Sequence, residues 1–302
     1  MAIVLVAPIP SAFWAMKASE RKTGAGIVMA RLRDQIAGDP ARFVENLADR
    51  LTKDLGKTDP PFQTEAYEYA RLAGAKVIEA DIRSAGLMSC FRGRIVIEVR
   101  RKDPPERKSY TVCHEVGHIE VRRAAKLLPG VGRATRHSTN VPVSRAEEEM
   151  VEQFAANALM PRDVFCNHAR KLAPSLENAM LLAKLFRTSL GATLRRAVSL
   201  GAWNCAIMWG IPEKMGDDRW AVRIHELRSS VRCGLRCPQH KYVWWAGKEV
   251  ADAFGSPSVV KEAILIDDRE WTFEGLREWH YTDSGERENR VMAMLLPPKH
   301  LA

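Results

Sequence analysis

The stretch SRAEEEMVEQFAANALMP, residues 144–161, sets apolar side chains at 150, 151, 154, 155, 158 and 159. That spacing predicts a helix with one apolar stripe, and such a stripe has to be covered by another element. Ser144 followed three residues later by Glu147 is a capping-box pattern, so the helix is expected to begin there. At about 100° per residue, Glu149 falls on the solvent side while Glu147 and Glu148 stay near the inward face. Acids in a first turn are also explained by the positive end of the helix dipole alone. Both readings stand.

A second stretch, SYTVCHEVGHIE at 109–120, contains His114-Glu115-Val116-Gly117-His118. On a helix the two imidazoles project from one face, one turn apart. So placed, they can grip one Zn²⁺, with Glu115 beside it to take a proton from water. Two satisfied histidines on an ordinary helix would look the same. Gly117 costs about 1 kcal/mol relative to Ala in a helix, so its presence predicts close packing against another backbone. A catalytic zinc also needs a third protein ligand. Glu148 is the better candidate, because Glu147 already has a local use as capping partner.

The remaining organisation is read from periodicity and punctuation. Residues 1–61 form a partly helical lead-in closed by Asp59-Pro60-Pro61, and a short helix is expected from Thr64 to Leu72. KVIEADI (76–82) and GRIVIEVRR (93–101) read as strands, and KDPPERK (102–108) as a charged loop. LENAMLLAKLFRTSLGATLRRAVSLG (176–201) reads as two helices around a turn near Ser189 to Gly191. Beyond about Ala202 lie seven of the eight tryptophans, in strand-like runs such as DRWAVRIHEL, KYVWW and AILIDD, which predicts a separate β-rich domain. The expected partition is 1–61, 62–165, 166–201 and 202–302, an α+β chain overall. CGLRCPQH offers Cys233, Cys237 and His240, one ligand short of a closed structural zinc site, so these are read as unligated loop side chains.

Six scattered cysteines exclude a dense disulfide framework, and the apolar start MAIVLVAPIPSAFWAMK lacks a basic leader region and carries two prolines. The expectation is a cytoplasmic protein with no membrane partner. The net charge of +9 leans toward an acidic or nucleic-acid-associated partner, although a generally basic surface accounts for it equally well.

The two site-bearing stretches together resemble the ImmA/IrrE family of metallopeptidases, peptidase family M78. That family shows a strand, a charged loop and an aromatic residue four before the first motif histidine, here GRIVIEV and Tyr110. It then shows a helix of the form E-x-x-(A/C)-N-x-F-A-A-x-x-L-M-P. This sequence matches at Glu148, Phe154, Ala155, Ala156, Leu159, Met160 and Pro161. It departs at Val151 and Glu152, where a small residue and Asn are usual, and at Cys113, where Ala is common.

Over roughly 62–200 the resemblance implies a zincin-like, gluzincin-type core and a zinc-dependent endopeptidase. The metal would be zinc, or manganese when that is supplied, held by His114, His118 and Glu148, with Glu115 as catalytic base. The group stabilising the oxyanion is not identified, although His137 and Tyr110 carry suitable donors. The resemblance further implies a helix-turn-helix repressor as substrate, cut in a stress or mobile-element response, and a helix-turn-helix-like segment after the core. With no DNA-binding domain read ahead of that core, the repressor is expected to be a separate protein. A strand such as 93–101 would order the substrate by β-addition. Direct DNA contact through Arg187, Arg195 and Arg196 is the less favoured reading. The alternatives are a non-catalytic DNA-binding regulator with a structural metal, or a sensor working through its C-terminal part.

Overall fold

The computed structural model describes residues 39–56, 58–62, 65–91, 94–126, 143, 145–214, 220–233, 235, 243–246, 258–266, 269–281 and 287–298. These form two compact units. One runs to Val164 and takes in Phe186–Thr188, and the other comprises Phe165–Leu185 and the described residues from Ser189 onward. Among the described residues the chain is mixed α and β, with seven helices and two sheets. None of the helices is long and apolar enough to cross a membrane.

In the first unit the elements are α1 (Pro40–Asp54), α2 (Ala66–Leu72), β1 (Ala75–Ala80), β2 (Gly86–Phe91), β3 (Arg94–Arg100), α3 (Pro105–Ala124), α4 (Arg145–Leu159) and the start of α5 (Arg162–Ala169). The sheet order is β1-β3-β2, with β1 parallel and β2 antiparallel to β3. Strand β2 has no counterpart in the sequence-based expectation, because GLMSCF alternates too weakly to announce itself. Its presence makes β3, the expected partner for an extended substrate, the central strand. Both sides of β3 are already paired, so β-addition at 93–101 is excluded.

The expected loop at 102–108 is also corrected. Pro105 sits at the first helical position, after Pro104 in an extended conformation, so Glu106, Arg107 and Lys108 belong to the first turn of α3. Proline is tolerated there because the first-turn N–H groups need no intrahelical partner. Asp103, buried just ahead of the helix, lies between Arg100 and Arg107.

The core of this unit joins Val44, Leu47 and Leu51 of α1, Tyr69 of α2, Ile97 and Val99 of β3, Val112, Val116 and Ile119 of α3, and Met150, Val151, Phe154 and Ala158 of α4. The apolar stripe of α4 is therefore covered by α1 and α3. The expected start at Ser144 lies outside the described residues, and the helix is seen from Arg145.

The second unit contains most of α5, α6 (Leu176–Phe186), α7 (Leu190–Ser199), and strands β4 (Ala206–Lys214), β5 (Trp220–Ser229), β6 (Val243–Ala246), β7 (Val260–Ile266), β8 (Arg269–Tyr281) and β9 (Arg287–Leu296). The strands form one antiparallel sheet in the order β6-β5-β4-β9-β8-β7, with a register irregularity at Trp209/Gly210. Met208, Trp271, Phe273, Val291 and Leu295 form its apolar core. Arg187 has a left-handed backbone (φ 50°), and Ser189 then caps α7 by accepting from the Ala192 N–H.

Candidate metal centre

Helix α3 brings the two histidines together as its periodicity requires. The rings of His114 and His118 lie 5.0 Å apart at 78°. Gly117, between them, is the point where α4 crosses. A Cβ built there would lie 3.0 Å from Val151 Cβ and 3.2 Å from Phe154 Cδ1. The expected close packing is present, but the neighbours are side chains of α4 rather than its backbone.

This approach carries the first turn of α4 to the histidines. His114 Nε2 lies 3.2 Å from Glu148 Oε2, and His118 Nε2 lies 3.7 Å from Glu148 Oε1. One ligand atom from each of the three residues can be chosen so that all lie within 4.8 Å of one another. Zinc–ligand bonds of about 2.1 Å in a tetrahedron put ligand atoms roughly 3.4 Å apart. The two nitrogen–carboxylate separations bracket that value, so this donor set suits a divalent ion such as zinc.

The remaining acids are separated in space. Glu149 is paired on the surface with Arg145 at 3.0 Å. Glu147 is fully buried, and its Oε1 lies 2.8 Å from both His118 Nδ1 and Arg122 Nε. That corrects the reading of Glu147 as a capping residue alone. Sequence periodicity placed both Glu147 and Glu148 inward without showing that Arg122 would meet one of them. The signal available was Arg122 itself, a charged residue one turn beyond His118 on the same helix.

Glu115 points toward the sheet. Its Oε1 would sit 3.1 Å from a Cβ at Gly86, and Thr111 Cγ2 only 2.3 Å from the same point. Any side chain at residue 86 would collide with α3, so the bare backbone there lets β2 lie directly against the base candidate. Burial raises the pKa of Glu115, and Glu148 adds to the rise against the lowering effect of His118, His114 and Arg122. Burial opposes charge on His114, yet the hydrogen bond to Glu148 and the fields of Glu115, Glu148 and Glu152 outweigh it and raise its pKa. The hydrogen bond from His114 holds Glu148 below the usual carboxylate range, against partial burial. The set is mutually stabilising: carboxylates favour charged imidazole and imidazole favours charged carboxylate.

Other expected residues lie elsewhere. The Tyr110 ring is 6.2 Å from that of His114. His137, Cys237 and His240 lie outside the described residues, as does the apolar start of the chain. Cys233 is a buried free thiol. Of the three arginines weighed for DNA, Arg195 is forked onto Glu226 and stacked 4.4 Å over Trp209, and Arg196 is buried. Both serve the fold of the second unit.

Residues 70–198 match the family model of peptidase M78, described as an IrrE N-terminal-like domain. A solved structure of a Mycobacterium tuberculosis transcriptional regulator superposes with a TM-score of 0.58 at 15% identity, over 91% of this chain and 81% of that one. At that identity the likeness is one of fold. No curated protein matches the sequence.

Proposed function

We propose that this protein is a metal-dependent endopeptidase in which His114, His118 and Glu148 hold one zinc ion, or manganese where that is supplied, and Glu115 is the general base. One observation carries the reading. Two imidazoles of one helix and a carboxylate of a second converge on a common point, while a further half-buried carboxylate, Glu115, stands beside them outside that set. A structural metal site has no use for that additional carboxylate.

The ion would supply Lewis acidity, polarising the scissile carbonyl and making water more acidic. Glu115 takes the proton from the attacking water at its carboxylate and passes it to the departing amine nitrogen. Its raised pKa brings it closer to neutrality, where a proton acceptor and donor is most effective. The edge strand β2 is a better substrate platform than β3. Among the described residues it pairs only with β3, and its first residue, Gly86, lies against Glu115. An extended segment adding to β2 would have its main chain ordered beside the base.

The substrate we propose is a helix-turn-helix transcriptional repressor, a reading that rests on the family resemblance. The partition at 61/62, 165/166 and 201/202 and a cytoplasmic location are retained as parts of the same proposal. A second reading, a regulator with a structural metal and no turnover, draws on the solved relative being a transcriptional regulator. The two separate cleanly. Zinc-loaded protein incubated with the repressor encoded beside it is expected to make one defined cut, mapped by mass spectrometry, with little digestion of casein. Glu115→Gln should keep fold and metal and lose about 10²-fold or more in cleavage rate. A repressor left intact under inducing conditions favours the second reading, and equal cleavage by Glu115→Gln removes Glu115 as base.

A further inference from the structure

His118 has two ring nitrogens with different neighbours. Nε2 faces Glu148 at 3.7 Å, and Nδ1 lies 2.8 Å from Glu147 Oε1. A carboxylate oxygen accepts and does not donate, so the proton belongs on Nδ1 and the lone pair of a neutral ring on Nε2. Arg122 donates its Nε to the same oxygen, also at 2.8 Å. Both partners are deeply buried, Glu147 at 0% and Arg122 at 4% exposure.

The pairing has a cost. Burying an ion pair takes two charges out of water, and an apolar pair of similar volume often stabilises a helix contact as well or better. Stability is therefore a weak reason for Glu147 and Arg122 between α3 and α4. The neighbouring ring gives the contrast, because His114 Nδ1 is buried with no hydrogen-bond partner among the described residues. Of two histidines on one helix, only His118 has its second nitrogen fixed by a carboxylate.

We propose that Glu147 is a positioning residue. It holds His118 in the Nδ1–H tautomer with the Nε2 lone pair turned toward Glu148, and Arg122 balances its charge and locks its orientation. The three consecutive glutamates then have three roles: Glu147 orients a ligand, Glu148 is a ligand, and Glu149 is a surface residue. The inference deepens the metal-site reading and rests on it for its consequence, but not for the tautomer.

Two measurements test it. In metal-free, ¹⁵N-histidine-labelled protein, long-range ¹H–¹⁵N correlation should show a proton fixed on His118 Nδ1 in the wild type, whether or not Nε2 also carries one, and a mixture of forms in Glu147→Ala. Zinc affinity by chelator competition, well below the melting temperature, should fall about 100-fold in Glu147→Ala and about 10-fold in Glu147→Gln, which keeps the shape and one acceptor oxygen. Should Glu147→Ala fail to fold, Glu147→Gln carries the test alone. A helix-packing role would leave affinity unchanged in folded variants. Wild-type zinc affinity in folded Glu147→Gln, or a wild-type ring with no proton on Nδ1, overturns the inference. If the wild type takes up no zinc, the metal-site reading fails, and the tautomer still decides whether Glu147 positions His118.

Discussion

Each unit of the molecule buries a glutamate, and the two are used in opposite ways. In the C-terminal sheet, Glu274 of β8 accepts from the Leu176 N–H at 2.6 Å, and its other oxygen faces Lys261 Nζ at 3.1 Å. It satisfies a free amide at the start of α6 and shares Lys261 with Glu177, and it touches none of the metal-site residues. In the N-terminal unit, Glu147 accepts from His118, whose other nitrogen is directed at Glu148. The first acid completes a structure, and the second holds a side chain that still has a lone pair to offer. Burial of charge alone marks neither function nor its absence. What the buried charge orients makes the difference.

The comparison can be broken first where the expected effect is largest. Gly86→Ala puts a methyl group against Thr111 and Glu115, forcing β2 and α3 apart. Turnover should drop about 10²-fold through displacement of the base, with a stability loss of about 1–3 kcal/mol. Zinc affinity should stay within a few fold, since no ligand is touched. Undiminished cleavage would show that β2 and Glu115 need not lie so close.

Glu274→Ala should act only on stability. It leaves the Leu176 amide without its acceptor and Lys261 with Glu177 alone, and calorimetry or chemical denaturation should report a loss of about 2 kcal/mol. Zinc affinity and cleavage rate at a temperature where the variant is folded should be unchanged. A fall in zinc affinity would dissolve the distinction between the two glutamates. The smallest effect belongs to Glu149→Ala. Its partner Arg145 is almost fully exposed, and such pairs contribute about 0.5 kcal/mol or less. Melting temperature and metal content should both stay near wild type.

Much of the site was legible because helical spacing is a local property. His114, Glu115 and His118 had to share one turn of α3, and the stripe of α4 by itself separates Glu149 from Glu147 and Glu148. Gly117 announced a close contact, although the chain alone could not say that Val151 and Phe154 would supply it. Two of the misses were tertiary and one was local. Glu147 looked like a capping residue because its partners His118 and Arg122 lie on another helix. Strand β2 has no strong alternation and exists through its register with β3, from Gly86↔Val99 to Phe91↔Arg94. Two successive prolines suggested a stop, yet Pro105 is placed where a helix accepts one.

The central claim, that α3 and α4 together form one metal site, is most directly tested by zinc stoichiometry. Protein purified with zinc and desalted should carry one ion per chain by elemental analysis. His114→Ala and Glu148→Ala should each lose it while retaining wild-type helical content, and Glu149→Ala should keep it. A His114→Ala protein that holds zinc as tightly as the wild type, or a Glu148→Ala protein that does so, would contradict the account.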